Sequence, residues 1–506
     1  MIKALPGNRQ GFFFGRIFCR IARMTLDHDE TVARGAELLG RGLVTDAAAC
    51  FESVLNVAPA HPAAKNNLAH ALQLLGQPAR AMQLYRELIA ATSPPLQWRI
   101  ASNYLVSLQY QDGLSPQALK AQALQIAALM GDAQPLAAPA RPPHAPLRVG
   151  FMSPDLCDHP VGLFLLPLLK ALDRSVAEPV LFCLGGREDM TTGELRALAE
   201  WHDIRGMDTT RAVAWLRRHA LDVMVDLAGH TAGNGLPILA RRVAPLQISW
   251  LGYFATTGLT AMDAVLMDRW HVPDGQEAFF SERVVRLPGS RFCYQSAPFA
   301  PDVAPPPALR RGFVTFGSFN NSAKYNPVVF DTWAAILRAV PRSRLLLKWA
   351  SFADPQLCTQ VQHEFVRRGI EPERLELRPA SFHRDLLAQY SDMDIALDPF
   401  PFSGGHTSCE ALWMGLPVVT LPGDRPVSRQ TLGFVASLNH PRWLQEGVAA
   451  DLDDYVRKAV ALAGDPMGLA AIRSSLRGTL AESPLMDAGA FARDWAQAVC
   501  GLAGRR

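Results

Sequence analysis

The sequence predicts a helical repeat unit followed by two α/β units that face each other across a cleft. Three observations predict it. Residues 31–64 are echoed at an offset of 34 in residues 65–98, two Ala- and Pro-rich breaks punctuate the rest, and around those breaks short apolar runs alternate with helical stretches. The size agrees, since 506 residues exceed what one hydrophobic core usually supports. With 49% hydrophobic and 19% charged residues, the chain is not mainly disordered. Fifty basic against forty-seven acidic residues leave a formal charge of +3, which gives no reason to expect nucleic acid or an anionic membrane as the main partner. No apolar run is long enough for a membrane-spanning helix.

Residues 1–30 read as a disordered extension. Arg16 and Arg20 interrupt its apolar stretches, so it lacks the unbroken core of a signal peptide, and a cytoplasmic location is expected. In the repeat unit, 31–132, the offset pairs Leu38 with Leu72, Gly42 with Gly76, Ala47 with Ala81, Phe51 with Tyr85 and Val54 with Leu88. The small residues would let antiparallel helices approach closely while the larger ones fill the space between. This pattern resembles the tetratricopeptide repeat, with Arg99–Asp132 as a degenerate capping unit. An ordinary pair of helical hairpins is the other reading. Residues 133–147 (AQPLAAPARPPHAPL) cannot hold a helix or a central strand and read as a linker.

Residues 148–296 then read as a first Rossmann-like unit. LRVGFMS, EPVLFCL and DVMVDLAG have the look of buried parallel strands, and LFLLPLLKAL and ELRALAEWH of the helices between them. A second break runs from Ala297 to Leu309. Residues 310–506 read as a second Rossmann-like unit with C-terminal helices, its strands being FVTFGSF, RLLLKW, RLELRP, DIALDP and PVVTLP. In doubly wound sheets, ligands sit beyond the carboxyl ends of strands.

The eight cysteines are dispersed without a C-x-x-C pair, which reads as reduced, packed thiols. Four segments after predicted strands carry polar or small residues that packing does not require. In Ser153–Gly162, His159 could act as a base or hydrogen-bond a sugar hydroxyl, or be an ordinary loop histidine. Asp226–Asn234 is glycine-rich, which suits close backbone approach or a plain turn. In Phe316–Lys324, the lysine could neutralise a departing diphosphate, or be a solvated loop residue. The spacing there does not fit a Walker P-loop. In Asp398–Gly415, Gly404 and Gly405 precede His406-Thr407-Ser408 at the start of a helix, where free N–H groups and the helix dipole favour an anion. Glu410, a turn further in, could accept from ribose hydroxyls, while the plainer reading is a helix cap followed by a solvated acid.

Together, SPDLCDHPVG, DLAGHTAGN, WLGYFATTG, FGSFNNSAK and GGHTSCEALWMGLPVVTLPG resemble, in order, the motifs of the O-linked N-acetylglucosamine transferases, in particular the bacterial SPINDLY-like branch. The resemblance covers residues from about 31 to 500. It implies a GT-B fold (two Rossmann-like domains facing a cleft) that holds a nucleotide sugar, UDP-GlcNAc first, mainly on its C-terminal half. It further implies inverting transfer of the sugar to Ser or Thr of a protein or peptide acceptor, with further protein contacts through the repeats. By matching position, Lys324 would meet the diphosphate, with Asn321 a nucleotide-sugar-binding polar residue shortly before it, His406, Thr407 and Ser408 would form the pyrophosphate turn, Glu410 contact the ribose, and the segment from Ala380 the base. His159 would face the sugar and acceptor, with Pro160, Leu251, Gly252 and Tyr253 walling that pocket. His159 and Lys324 are the implied catalytic residues.

The family works without a metal or other cofactor. The two Asp-x-Asp sequences, Asp392–Asp394 and Asp451–Asp453, are not placed at a strand's carboxyl end. This chain departs from the bacterial pattern in having His406-Thr407-Ser408 for Thr-Thr-Thr, and Phe254 and Ala255 where Pro and Gly are usual. Related branches transfer fucose from GDP-fucose or glucose to asparagine, and those donors and acceptors stay open, as does an inactive repeat-containing scaffold.

Overall fold

The computed structural model describes residues 27–504 except 132, 140, 141, 143 and 144. The expected extension thus lies outside the described residues up to 26, while residues 27–30 already belong to the first helix. Six helices open the fold: α1 (27–40), α2 (Val44–Val57), α3 (Pro62–Leu74), α4 (Pro78–Ala91), α5 (Leu96–Leu108) and α6 (Pro116–Ala127). Pro62, Pro78 and Pro116 occupy first-turn positions, where the missing N–H would have had no partner in any case. Ala47 and Ala81 are fully buried and set the close helix approach. Gly42 and Gly76 do something else. Both follow a helix with φ of 79° and 70°, so they serve as left-handed turns and not as helix-crossing points. A Cβ on Gly42 would also stand 2.2 Å from the carbonyl of Ala350, far along the chain.

The first sheet is all parallel, with β1 (Leu147–Ser153), β2 (Ala177–Cys183), β3 (Glu200–Asp203), β4 (Val223–Asp226), β5 (Leu246–Ser249), β6 (Ala264–Met267) and β7 (Arg283–Arg286) in the order 3-2-1-4-5-6-7. The second, also parallel, sets β8 (Thr315–Ser318), β9 (Arg344–Lys348), β10 (Leu375–Arg378), β11 (Ile395–Leu397) and β12 (Val418–Val419) in the order 10-9-8-11-12. Two doubly wound sheets with helices around them are the GT-B architecture.

Two expectations change. ELRALAEWH is not one helix: the helix ends at Leu198, and Glu200–Asp203 pairs with β2 as an edge strand. The bulky Trp201 suits a pleated ladder, and only four residues were available to signal it. The last helix, Ala488–Leu502, belongs by sequence to the second unit but packs on the first. It crosses back to the helix Pro160–Ala171 of the first, with Trp495 stacked 5.5 Å from Phe151 of β1. Its apolar stripe of Phe491, Trp495 and Val499 is what the first sheet's helix layer lacked.

The repeat helices grip both sheets. Toward the first, Ser102 of α5 donates to Nδ1 of the buried His230 (3.0 Å), whose Nε2–H donates to the carbonyl of Thr257 (2.8 Å). Lys120 of α6 reaches the carbonyl of Ala278. Toward the second, the buried Arg425 guanidinium donates to the carbonyls of Leu108 and Gln111 (3.4 and 2.7 Å), and the N–H of Thr45 to Asp354 (2.6 Å).

His230 gives the first of these joints a pH dependence. Burial pushes its pKa from 6.5 down to about 4. Between those values the unfolded chain binds a proton that the folded one refuses, so stability falls as pH drops. The loss reaches at most about 3 kcal/mol. His230→Asn removes the titration: the melting temperature of the wild type should fall more steeply from pH 6.5 to 5 than that of the variant. Parallel slopes would show that the imidazole is not held neutral.

Candidate active site

Strand order places the chemistry. In the first sheet the order reverses between β1 and β4, in the second between β8 and β11, and at such points the loops diverge and open a crevice. A cavity of about 290 Å³ lies there, lined by His159 and Pro160 after β1, Thr231 after β4, Leu251, Gly252 and Phe254 after β5, Asn320, Asn321 and Lys324 after β8, and Phe402, His406 and Thr407 after β11. Val106 of α5 and Tyr110 just beyond it complete the wall. Phe402 sits between Tyr110 (centroids 4.6 Å apart) and Phe254 (5.1 Å), an apolar bed of aromatic rings.

Lys324 ends a short 3₁₀ turn that begins after Asn321, whose side chain accepts from the N–H of Ala323 (3.0 Å). Its ammonium donates to Asn320 Oδ1 (2.9 Å) and the carbonyl of Ser403 (2.8 Å), and lies 4.5 Å over the Phe402 ring. Burial lowers its pKa to about 8 against an upward pull from Asp398. An anion in the cavity would supply the countercharge that burial removes.

The loop after β11 is tied by Asp398, which accepts from the N–H of Gly404 (2.5 Å) and from Thr420 (2.7 Å). A side chain at Gly404 would stand 2.1 Å from the Ser408 hydroxyl, so only glycine fits this approach. The helix His406–Trp413 then points its first turn at the cavity through His406 and Thr407. His406 is nearly buried, its Nδ1 is 3.2 Å from Glu410, and its Nε2 has no partner within the protein. A buried polar atom left unpaired beside a cavity points to a ligand.

Glu410 and Ser408 do not line the cavity. The Ser408 hydroxyl is turned to Thr431 (2.9 Å). The Glu410 carboxylate is buried, and its Oε1 accepts from His383 Nε2 (2.6 Å) while Tyr390 donates to Oε2 (3.3 Å). Burial alone would raise its pKa, but His406 and His383 outweigh it and hold it at about 2. The hydrogen bond to Glu410 raises His383 in turn. The carboxylate expected to be a solvated or ribose-binding acid is thus the holder of two histidines.

His159 caps the helix Pro160–Ala171, its Nδ1 accepting from the N–H of Val161 (3.3 Å). Burial lowers its pKa, with Asp155 (3.8 Å) pulling the other way. A neutral ring that accepts at Nδ1 carries its proton at Nε2, so in this geometry it offers the cavity a donor. Tyr253 is buried with its ring edge-on to His230 (5.4 Å), away from the cavity, and Ala380 is an exposed residue after β10 that does not line it.

Of the expected residues, the cavity therefore gathers His159, Pro160, Leu251, Gly252, Asn321, Lys324, His406 and Thr407, and omits Ala380, Ser408, Glu410 and Tyr253. It adds Asn320, legible as the neighbour of Asn321, and Val106 and Tyr110, for which a repeat helix carries no local signal. Of the two Asp-x-Asp sequences, Asp392 is paired with Arg311 and Arg378, Asp394 accepts from the N–H groups of Ala308 and Thr315, and Asp451 caps a helix through the N–H of Asp454.

Comparison with known proteins bears on this cleft. The family model described as Glycosyl transferase family 41 matches residues 129–300 and 308–495. A probable UDP-N-acetylglucosamine–peptide N-acetylglucosaminyltransferase SPINDLY of Solanum lycopersicum is 40% identical over 362 residues, covering 70% of this chain and 38% of that protein. The protein of the same name in Arabidopsis thaliana is 38% identical, over 69% of this chain and 38% of the relative. The chain thus spans about two-fifths of the length of these relatives. The solved structure of a mutant O-GlcNAc transferase of Thermobaculum terrenum superposes with a TM-score of 0.89 at 33% identity, covering 96% of this chain and 92% of that one.

Two measurements follow from the geometry. Because Lys324 loses its proton from about pH 8, affinity for a nucleoside diphosphate should weaken by up to about tenfold per pH unit above that value, and Lys324→Met should flatten the profile. Parallel profiles would remove the ammonium from the anion site. In Glu410→Gln, nuclear magnetic resonance should find His383 titrating at lower pH than in the wild type, since burial remains and the anion is gone. An unchanged titration would mean that the ion pair does not form.

Proposed function

Because the chain belongs to glycosyl transferase family 41, we propose that it transfers a sugar from a nucleotide donor, UDP-GlcNAc first, to Ser or Thr of a protein acceptor, with inversion at the anomeric carbon. One observation carries the reading. The cavity at the two switch points joins a half-buried ammonium, Lys324, and an unpartnered imidazole nitrogen, His406 Nε2, to an apolar aromatic bed. An anion at one end and a sugar's apolar face at the other suit that lining.

The acceptor hydroxyl oxygen bonds to the anomeric carbon while the bond from that carbon to the diphosphate breaks, and the hydroxyl proton leaves to water or a base. Negative charge grows on the departing diphosphate. Lys324 and the first-turn N–H groups at His406 and Thr407 stabilise that charge, and preorganised donors of this kind are usually the largest catalytic contribution. His159 donates from Nε2 to an oxygen of the sugar or acceptor and orients it. No step needs a metal, which fits the Asp-x-Asp carboxylates being held by arginines and backbone N–H groups. Among the described residues no helix is long and apolar enough to cross a membrane. Buried thiols at Cys157, Cys183, Cys293 and Cys409 support a reducing compartment, and the cytoplasm is the location we propose.

The deciding experiment is calorimetry with UDP-GlcNAc, UDP-glucose, GDP-fucose and the bare diphosphates, followed by mass spectrometry of acceptor peptides. Lys324→Ala should keep the fold and lower turnover by about two to three orders of magnitude. Transfer near the wild-type rate would exclude the lysine from the mechanism, preference for another donor would reassign the sugar, and binding of none would leave a scaffold.

A further inference from the structure

A second cluster lies outside the cleft, at the outer edge of the first sheet. Glu200 and His202 stand two residues apart on β3, and so on one face of it. His219 follows the helix Thr209–Arg217. One ligating atom from each residue lies within 4.8 Å of the other two. We propose that Glu200, His202 and His219 form a binding site for a borderline divalent cation of the zinc class.

Three features beyond proximity favour it. First, His219 Nδ1 lies 3.1 Å from the carbonyl of Trp215, which fixes the proton there and leaves Nε2 as a lone pair. A ring nitrogen held by a backbone carbonyl is how metal-binding histidines are usually oriented. Second, the rings are already fixed by packing. Phe182 stacks on His202 (5.5 Å, 17°) and meets His219 edge-on (5.5 Å), and Trp215 packs against both at 5.0 and 4.1 Å. Little rotamer freedom remains to be lost on binding. Third, two imidazoles and one carboxylate are the donor set that suits zinc and its neighbours in preference to calcium or magnesium.

His202 Nε2 and Glu200 Oε1 now share a hydrogen bond of 2.6 Å. The cation takes the place of that proton, which moves to Nδ1 of His202. Ligation at about 2.0–2.2 Å spaces ligand atoms by about 3.3 Å, so side-chain shifts of about 1 Å complete the site. Among the described residues, Arg148 is the opposing charge in contact with the cluster. Its guanidinium holds the other carboxylate oxygen, Oε2, and leaves Oε1 to the metal while weakening it by repulsion. β3 is bonded to β2 alone, and a cation here would clip that edge strand to the next helix.

The test uses the tag-free chain, stripped with a chelator. Calorimetry should find one equivalent of Zn²⁺ bound, and Co²⁺ should give the absorption of a nitrogen-ligated site. His202→Gln and His219→Gln should each weaken binding by at least about tenfold. His363→Gln, at an exposed histidine elsewhere, should not. Arg148→Gln should tighten it. Should a histidine variant fail to fold, the cobalt spectrum of the wild type still decides. A spectrum of the free aquo ion, or Zn²⁺ binding that survives His219→Gln unchanged, overturns the site. Since it lies two strands from the cleft, these outcomes are independent of whether the transferase reading holds.

Discussion

The joint between the repeat helices and the two sheets is the constraint on which the cleft depends. The last helix ties the two doubly wound sheets directly, packing Trp495 against Phe151. The repeat helices tie them a second time, beside the cleft. Ser102 is bonded to His230 of the first half, and the carbonyls of Leu108 and Gln111, only a turn or two further along, receive Arg425 of the second. All these polar atoms are buried or nearly so, and separating either joint strands a donor that water cannot reach, at about 1–3 kcal/mol each and more for the guanidinium. The same stretch of chain carries Val106 and Tyr110 into the cavity wall. The repeat unit is therefore part of the cleft wall.

Charge in the cleft follows one plan. Cationic and dipolar groups face the cavity, and the acids stand behind them. Asp398 lies behind Lys324 and fastens the loop of Gly404, and Glu410 lies behind His406. Burial opposes every one of these charges. It wins for Lys324, which is pulled down to about 8, and loses for Glu410, where two histidines hold the carboxylate ionised. The cavity therefore has an unmet demand for negative charge beside Lys324 and the first turn at His406.

What was legible in the sequence was what the chain places next to itself. Strand ends, the glycines before His406 and the lysine after FGSFNNSA are read along a few residues, so the switch-point loops could be found before any sheet was drawn. Pairings across distance were not. Glu410 meets His383 from 27 residues away, so its spacing in a helix suggested a solvent-facing acid and not a buried anchor. Trp495 has the period of any amphipathic helix, which says that a face is buried and not against which sheet. Glu200–Asp203 is too short to show period two, and it followed a helical stretch whose pattern absorbed it. Gly42 was read from the repeat, where its small size was right and its reason, a left-handed turn against Ala350, lay in another domain.

The buried carboxylate also constrains how a nucleotide can enter. Glu410 has about four acceptor positions, and His383, His406 and Tyr390 take three. The position left is on Oε2, beside Tyr390, whereas a hydroxyl that competed for Oε1 would have to displace His383 or His406, exchanging a charged hydrogen bond of about 1.5–3 kcal/mol for another of the same class. That exchange gains almost nothing by itself. It becomes favourable only if the released imidazole finds a new partner, so any new contact at Glu410 Oε1 is tied to a second one at His383.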